Sequence, residues 1–285
     1  DISHLPCPTN SLRNGLNVKN WLSLPKHAWK VGNIFRLGFL LFMRDFQYRF
    51  KLTYLGYTWA CLRPLLTGVP LIFVGSQFNF GSTAELGISY PLFAFVGLML
   101  WQSFWDGLFY PQWVMRRTRK VLTRVRFPYK AILVASVCYV MFNLIVYTAM
   151  IGVALVVFGA SPGPEILLGV VSLPLLMMSG LAIGTLLAPL VLVYLDLRYG
   201  LPLIAGVALW SIPAIYVTPE SGPLHVINTW NPVTYLVNTP RVWLTGGGTP
   251  ETTLFMAVLG MFLVLSMLSM KFYERTIRIA VDQVL

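Results

Sequence analysis

Apolar residues run almost unbroken through six stretches of this chain, residues 57–79, 88–110, 131–158, 166–195, 201–217 and 252–270. A helix rises about 1.5 Å per residue, so roughly twenty apolar residues cross a hydrocarbon layer of about 30 Å. Each run therefore predicts a transmembrane helix, and the whole pattern an all-α integral membrane protein of six spans. The third and fourth runs are long enough to tilt or to emerge from the bilayer. The fifth is short and bounded by Pro202 and Pro213, which interrupt helix pairing.

The segments between the runs are patterned too. In residues 27–51, Val31, Ile34, Phe35, Phe39, Leu41, Phe42 and Phe46 fall on one helical face, with Lys30, Asn33, Arg36, Arg44 and Gln47 largely opposite. Such a helix lies in the headgroup layer rather than across it. Asp45 and Arg49, four residues apart towards the apolar side, are expected to pair. In residues 112–128, Val114, Met115, Thr118, Val121, Leu122 and Val125 mark one face of a short helix that Pro128 should end. Arg116, Arg117, Arg119, Lys120 and Arg124 occupy the remainder, so the segment reads either as a topology loop on anionic lipid or as a helix docking on a partner. Residues 219–248 are apolar but broken by Pro223, Pro232, Pro240 and three glycines at 246–248. A straight span is not expected there; the alternatives are a segment that enters the membrane and returns, or a cap on the outer surface. The chain thus divides into an N-terminal part, 1–56, with the interfacial helix, a six-span domain, 57–270, and a tail, 271–285.

Composition rules out most other classes. Of 285 residues, 56% are hydrophobic and only 11% charged, and the mean hydropathy is +0.70. A net charge of +11 looks like a nucleic-acid footprint until the charges are placed. All 21 Lys and Arg except Arg63 and Arg241 fall on one side of the six spans, which the positive-inside bias makes cytoplasmic, with both termini. Glu85, Glu165, Glu220 and Glu251 lie on the other side with Arg241, and nucleic acid is not a partner. Residues 1–30 hold no continuous apolar core of a cleavable signal, so the first span is expected to direct insertion. Three cysteines and three scattered histidines give neither a disulfide framework nor a metal site. Without a GxxxxGK[ST] motif the chain has no nucleotide site of its own, and the glycine triplet is a loop rather than a phosphate cradle. Asp106, the only acid well inside a span, is expected to pair with Arg116 or to hydrate. The abundant chemistry is aromatic, with 18 Phe, 13 Tyr and 9 Trp. Tyr90, Tyr110 and Trp113 suit interfacial belts. Trp59, Phe73, Phe93, Trp101, Phe104, Trp210 and Tyr216 suit deeper positions, as packing or as faces that pass sugar rings along a channel.

Four motifs then fall in a telling order. Arg44-Asp45, Arg49-Phe50-Lys51 and Tyr54-Leu55-Gly56 lead into Trp59-Ala60 and Arg63-Pro64. Leu122 to Pro128 follows, then Asp196-Leu197-Arg198-Tyr199 before Pro202, and Trp230-Asn231-Pro232 before Arg241. Over residues 44–245 this series resembles the permease subunit of ABC transporters that export bacterial polysaccharides, the group containing Wzm, KpsM and TarG proteins. Arg63 departs from the Gln frequent there, Leu195 from Arg and Asn238 from an acid. The resemblance implies a homodimer in the bacterial cytoplasmic (inner) membrane, bound to two copies of a separate ATPase that holds the ATP and magnesium. It also implies re-entrant helices between spans five and six and a channel formed mainly by spans one and five. The expected cargo is a lipid-linked polysaccharide of the O-antigen, teichoic-acid or capsule type. Arg49, Lys51 and Arg63 would meet its phosphates at the entrance, the seven deeper aromatics would line the channel, and Trp230, Asn231, Pro232 and Arg241 would form an outer gate. The helix of Val114, Met115, Thr118, Val121, Leu122 and Val125 would couple the chain to ATP hydrolysis. The competing expectation is a membrane enzyme modifying a polyprenyl-linked glycan, against which the lack of a catalytic cluster in the sequence weighs.

Overall fold

A computed structural model describes residues 31–51, 54–77, 86–122, 127–160, 163–194 and 196–283. These residues form helices without a strand among them: α1 (Val31–Lys51), α2 (Trp59–Gln77), α3 (Tyr90–Leu122), α4 (Lys130–Val157), α5 (Ile166–Val193), α6 (Asp196–Trp210), α7 (Pro223–Trp230), α8 (Pro232–Thr245) and α9 (Thr252–Asp282). Five helical stretches are long and apolar enough to cross a membrane: Gly56–Gln77, Tyr90–Arg119, Lys130–Val157, Ile166–Val193 and Thr252–Asp282. On α2 and α9 many large apolar side chains point outward, among them Leu66, Phe73, Met256, Val264 and Met267. Water would penalise such a surface heavily, whereas lipid accepts it. The chain is a multi-pass membrane protein.

The centre of the fold is α3, packed against α2, α4, α5 and α8. Its first half is buried nearly all round, through Leu92, Ala94, Val96, Leu98, Met99 and Leu100. With α5 the approach is backbone to backbone. A Cβ on Gly180 would strike the Phe104 carbonyl, one on Gly107 would lie 2.5 Å from the Met177 oxygen, and one on Gly184 would lie 2.5 Å from the Leu108 oxygen. Glycine is required at these positions by space, as in other small-residue helix contacts within membranes. Buried hydroxyls satisfy themselves on the preceding turn: Ser103 donates to the Met99 carbonyl at 2.8 Å and Ser136 to that of Ile132 at 2.8 Å.

Several expectations are corrected. Residues 201–210 of the 201–217 run lie in the 15-residue α6, about 22 Å long. Turns at 211–216, around Pro213, follow it. The predicted separate helix after Pro111 is instead the last three turns or so of α3, which runs through that proline to Leu122. Pro111 removes one helical hydrogen bond without breaking the rod. Val114, Met115 and Thr118 are fully buried there and Leu122 is 6% exposed, so the face expected to dock outward is covered by this chain itself. Val125 and the side chain of Val121 lie outside the described residues. The expected tail from residue 271 is helical as far as Asp282, and its buried face of Tyr273, Ile277, Ala280 and Val281 repeats at helical spacing. Tyr273 donates to the Tyr129 carbonyl at 3.0 Å, and Lys130 meets Glu274 at 2.8 Å, pinning that end to the start of α4.

Helix α1 is amphipathic as expected, but its apolar side is divided. Leu41 and Phe42 are buried, Phe42 standing edge-on to Tyr139 at 4.9 Å and Phe46 to Phe142 at 4.8 Å. Phe35 and Phe39 remain exposed. Residues 1–30 lie outside the description. At the other end of the fold, Trp230-Asn231-Pro232 makes the corner between α7 and α8. Asn231 adopts an extended backbone, its side chain accepts from the Val233 amide at 3.0 Å, and Pro232 starts α8 where no amide is needed.

Candidate functional site

A cavity of about 330 Å³ opens among α1, α2, α3, α4 and α6. Arg49 reaches it from α1, Trp59 and Arg63 from α2, Trp101, Asp106 and Tyr110 from α3, Asn143 and Tyr147 from α4, and Gly206 from α6. Helical spacing places these groups: Asp106 and Tyr110 stand one turn apart on α3, as do Asn143 and Tyr147 on α4.

A continuous polar chain joins the walls. Arg49 Nη1 donates to the Tyr110 oxygen at 3.0 Å, and Asn143 Nδ2 donates to the same oxygen at 3.0 Å. Asn143 Nδ2 also donates to Asp106 Oδ2 at 2.6 Å, as does the Tyr147 hydroxyl at 2.6 Å. The charges of Arg63 and Arg49 both act on Asp106. Burial disfavours the Arg49 cation, but the Tyr110 oxygen and the Asp106 carboxylate outweigh it and hold that guanidinium above its ordinary pKa. The expected partner of Asp106, Arg116, is replaced by this network. The expected Asp45–Arg49 pair is likewise replaced: Asp45 meets Arg44 at 2.9 Å and Arg117 at 3.5 Å.

The predicted entrance and channel residues divide. Arg49 and Arg63 line the cavity with Trp59 and Trp101, whereas the Lys51 side chain lies outside the described residues. Phe73 is 66% exposed on the outer face of α2. Phe104 is buried between Trp101 and Phe262, at 6.0 and 6.3 Å. The Tyr216 hydroxyl lies 3.0 Å from both the Trp210 carbonyl and Asn228 Oδ1 and shares its one hydrogen between them, which ties the end of α6 to α7. The Arg241 guanidinium covers the Phe93 ring at 3.6 Å.

Arg241 itself is buried at a second, smaller cavity of about 170 Å³. It donates to the Pro213 carbonyl at 2.7 Å and to Asn238, and so holds α8 against both the 211–216 turn and the start of α3. Of its expected gate companions, Asn231 forms the α7–α8 corner with Pro232, while Trp230 projects outward at 83% exposure.

Sequence reasoning placed Tyr110 in an interfacial belt and did not single out Asn143, Tyr147 or Gln102. A signal existed: Asp106/Tyr110 and Asn143/Tyr147 repeat polar groups at i,i+4 on helices that are otherwise apolar. No protein-family model matches the chain, and no curated protein matches it. Fold and site together define a multi-pass α-helical membrane protein with a polar, aromatic-walled cavity at the membrane helices.

Proposed function

We propose that this chain is the membrane subunit of an exporter that carries a lipid-linked polysaccharide, of the O-antigen, teichoic-acid or capsule type, across the bacterial cytoplasmic membrane. A separate ATPase supplies the energy, and two copies of this chain enclose the path with two copies of that ATPase. The observation that carries the reading is the convergence of Arg49 and Arg63 with Trp59 and Trp101 on one cavity. Guanidinium groups suit phosphate oxygens, and broad aromatic faces suit sugar rings. Alone, α2 and α6 are the least buried of the long helical segments around that cavity, which fits a path completed by a second copy.

In this reading the basic ends of the helices face the cytoplasm. Helix α6 and its following turn make a short fifth span. Helices α7 and α8, 8 and 14 residues long, are each too short to cross and form the re-entrant pair. The short corner at Asn231 and the burial of α8 support that assignment. Coupling to the ATPase uses the basic face at the end of α3, where Arg116, Arg117 and Arg119 stand.

The test is co-expression with a candidate ABC ATPase, followed by hydrolysis measurements in proteoliposomes with a polyprenyl diphosphate-linked glycan. Stimulation by that glycan, weakened by Arg63→Gln with assembly intact, is expected. Unchanged stimulation in the variant reduces Arg63 to an interfacial anchor, and absence of any stable ATPase complex sinks the exporter reading. Asp106 is the feature that favours the second reading, a glycan-modifying membrane enzyme. That reading predicts chemical conversion of the lipid-linked glycan by the purified chain without ATP.

A further inference from the structure

The polar chain around Asp106 leaves two groups uncommitted. The Tyr110 oxygen accepts from both Arg49 and Asn143, which uses its two lone pairs and leaves its own hydrogen to donate. Asp106 receives both of its hydrogen bonds on Oδ2, and Oδ1 has no hydrogen bond among the described residues. One donor and one anionic acceptor therefore stand a helical turn apart on α3, at the wall of the same cavity. Gln102 reaches the cavity from the preceding turn of α3, and Arg63 faces it from α2. Trp105 lies beside Trp101, with ring centroids 5.3 Å apart and planes 29° from parallel.

This set of groups selects among ligands. A bare phosphate would find Arg63, but its negative charge would be repelled by the Asp106 carboxylate and it has no apolar face to lay against the indoles. A cation would find Asp106 but would face Arg49 and Arg63. A sugar hydroxyl both donates and accepts, which matches Asp106 and Tyr110 together, and its ring has apolar faces that suit indoles. The volume, near the lower end of the roughly 300–1,000 Å³ typical of small-molecule sites, suits one substituted monosaccharide rather than a chain.

We propose that this cavity is a binding site for a hexose carried on phosphate, with Arg63 taking the phosphate and Asp106, Tyr110 and Gln102 reading the sugar hydroxyls. The proposal rests on the assignment of Arg63 to substrate phosphate made above, and extends it to the first sugar of the cargo. The same chemistry is presented by a prenyl diphosphate sugar from the bilayer and by a sugar nucleotide from water.

The test uses the purified full chain in phosphatidylcholine nanodiscs, with binding read by tryptophan fluorescence. The probes are the 1-phosphates of glucose, galactose and N-acetylglucosamine, their methyl glycosides, and inorganic phosphate. At least one sugar phosphate should bind ten-fold or more tighter than both its methyl glycoside and inorganic phosphate. Asp106→Asn should weaken that sugar phosphate at least ten-fold while leaving inorganic phosphate unchanged or tighter. Arg63→Gln should weaken the sugar phosphate and leave the methyl glycoside unchanged. If Asp106→Asn tightens the sugar phosphate as it does inorganic phosphate, the carboxylate only repels anions and the sugar site is refuted; equal affinity for all probes refutes it too. Should Asp106→Asn fail to fold, Gln102→Leu gives the same reading, with a loss of three-fold or more for the sugar phosphate alone expected and no change refuting the site. Tighter binding of a farnesyl diphosphate sugar than of the matching nucleotide sugar marks a bilayer source, and the reverse order a soluble one. ATP-driven export without sugar-phosphate binding would remove this site and leave the exporter standing. Binding without any ATPase complex would do the opposite.

Discussion

Arg117 Nε lies 3.5 Å from Asp45 Oδ1, so the C-terminal end of α3 is tied to the amphipathic helix α1. The same guanidinium sits 4.9 Å from the Tyr48 ring and 5.1 Å from that of Trp113. Asp45 is 2% exposed, and its Oδ2 has no hydrogen-bond partner in the described fold. Arg44 and Arg117 are thus the cations that compensate a carboxylate largely removed from water.

Removing one side of that arrangement should cost more than removing the charge itself. Arg117→Gln is expected to lower stability in detergent by about 1–3 kcal/mol, because it leaves Asp45 partly uncompensated. Adding Asp45→Asn should recover part of the loss. Thermal unfolding of the two single variants and the double variant measures the coupling, and strictly additive losses would mean the contact contributes nothing.

Leu122→Asp tests the buried end of α3. Since Leu122 is 6% exposed, an aspartate there should lower the thermal midpoint of the purified chain before any partner is added, by about 2–5 kcal/mol in stability. A normal midpoint combined with loss of the ATPase would place Leu122 on the docking surface after all.

The outer cavity makes a prediction about access. Arg241→Met keeps much of the bulk but leaves the Pro213 carbonyl and Asn238 without their donor and removes the cation from the Phe93 ring, a loss of roughly 1–3 kcal/mol. A cysteine at Thr234, which is 3% exposed, should label slowly from outside in a cysteine-free background. With Arg241→Met, labelling should accelerate at least ten-fold. An unchanged rate would mean that Arg241 does not hold α8 in place.

Glycine substitutions separate close backbone packing from open space. Gly180→Ala must part α3 and α5 and should cost roughly 1–3 kcal/mol, whereas Gly206→Ala on α6 meets nothing within 4 Å and should be near neutral. Unfolding midpoints of the two variants in the same detergent decide this.

Much of this architecture could be read from the sequence because hydrocarbon imposes a length on apolar runs. The helices at 131–158, 166–195 and 252–270 were legible for that reason. Interruptions were harder. Pro111 looked like the end of a span, yet a helix enclosed by its neighbours tolerates one missing hydrogen bond, so α3 passes through. The amphipathic faces of Val114–Leu122 and of α1 were visible, but periodicity does not tell whether a face meets lipid, a partner or the same chain. Arg49, Arg63, Trp59 and Trp101 were legible as candidate site residues. Asn143 and Tyr147 were not, because a polar pair on an apolar helix gains meaning only once Asp106 is known to stand opposite.

The backbone contact of α3 with α5 has a mechanical consequence. Side chains between helices act as a compliant layer, since they can change rotamer as the rods slide. At Gly107, Gly180 and Gly184 that layer is missing, and carbonyls bear almost directly on the opposing helix. The pair therefore behaves as a keel, stiff against shear. Displacement applied at either end of α3 is shared with α5, and the yielding parts of the molecule are α2 and α6, whose surfaces are mostly free of their own chain.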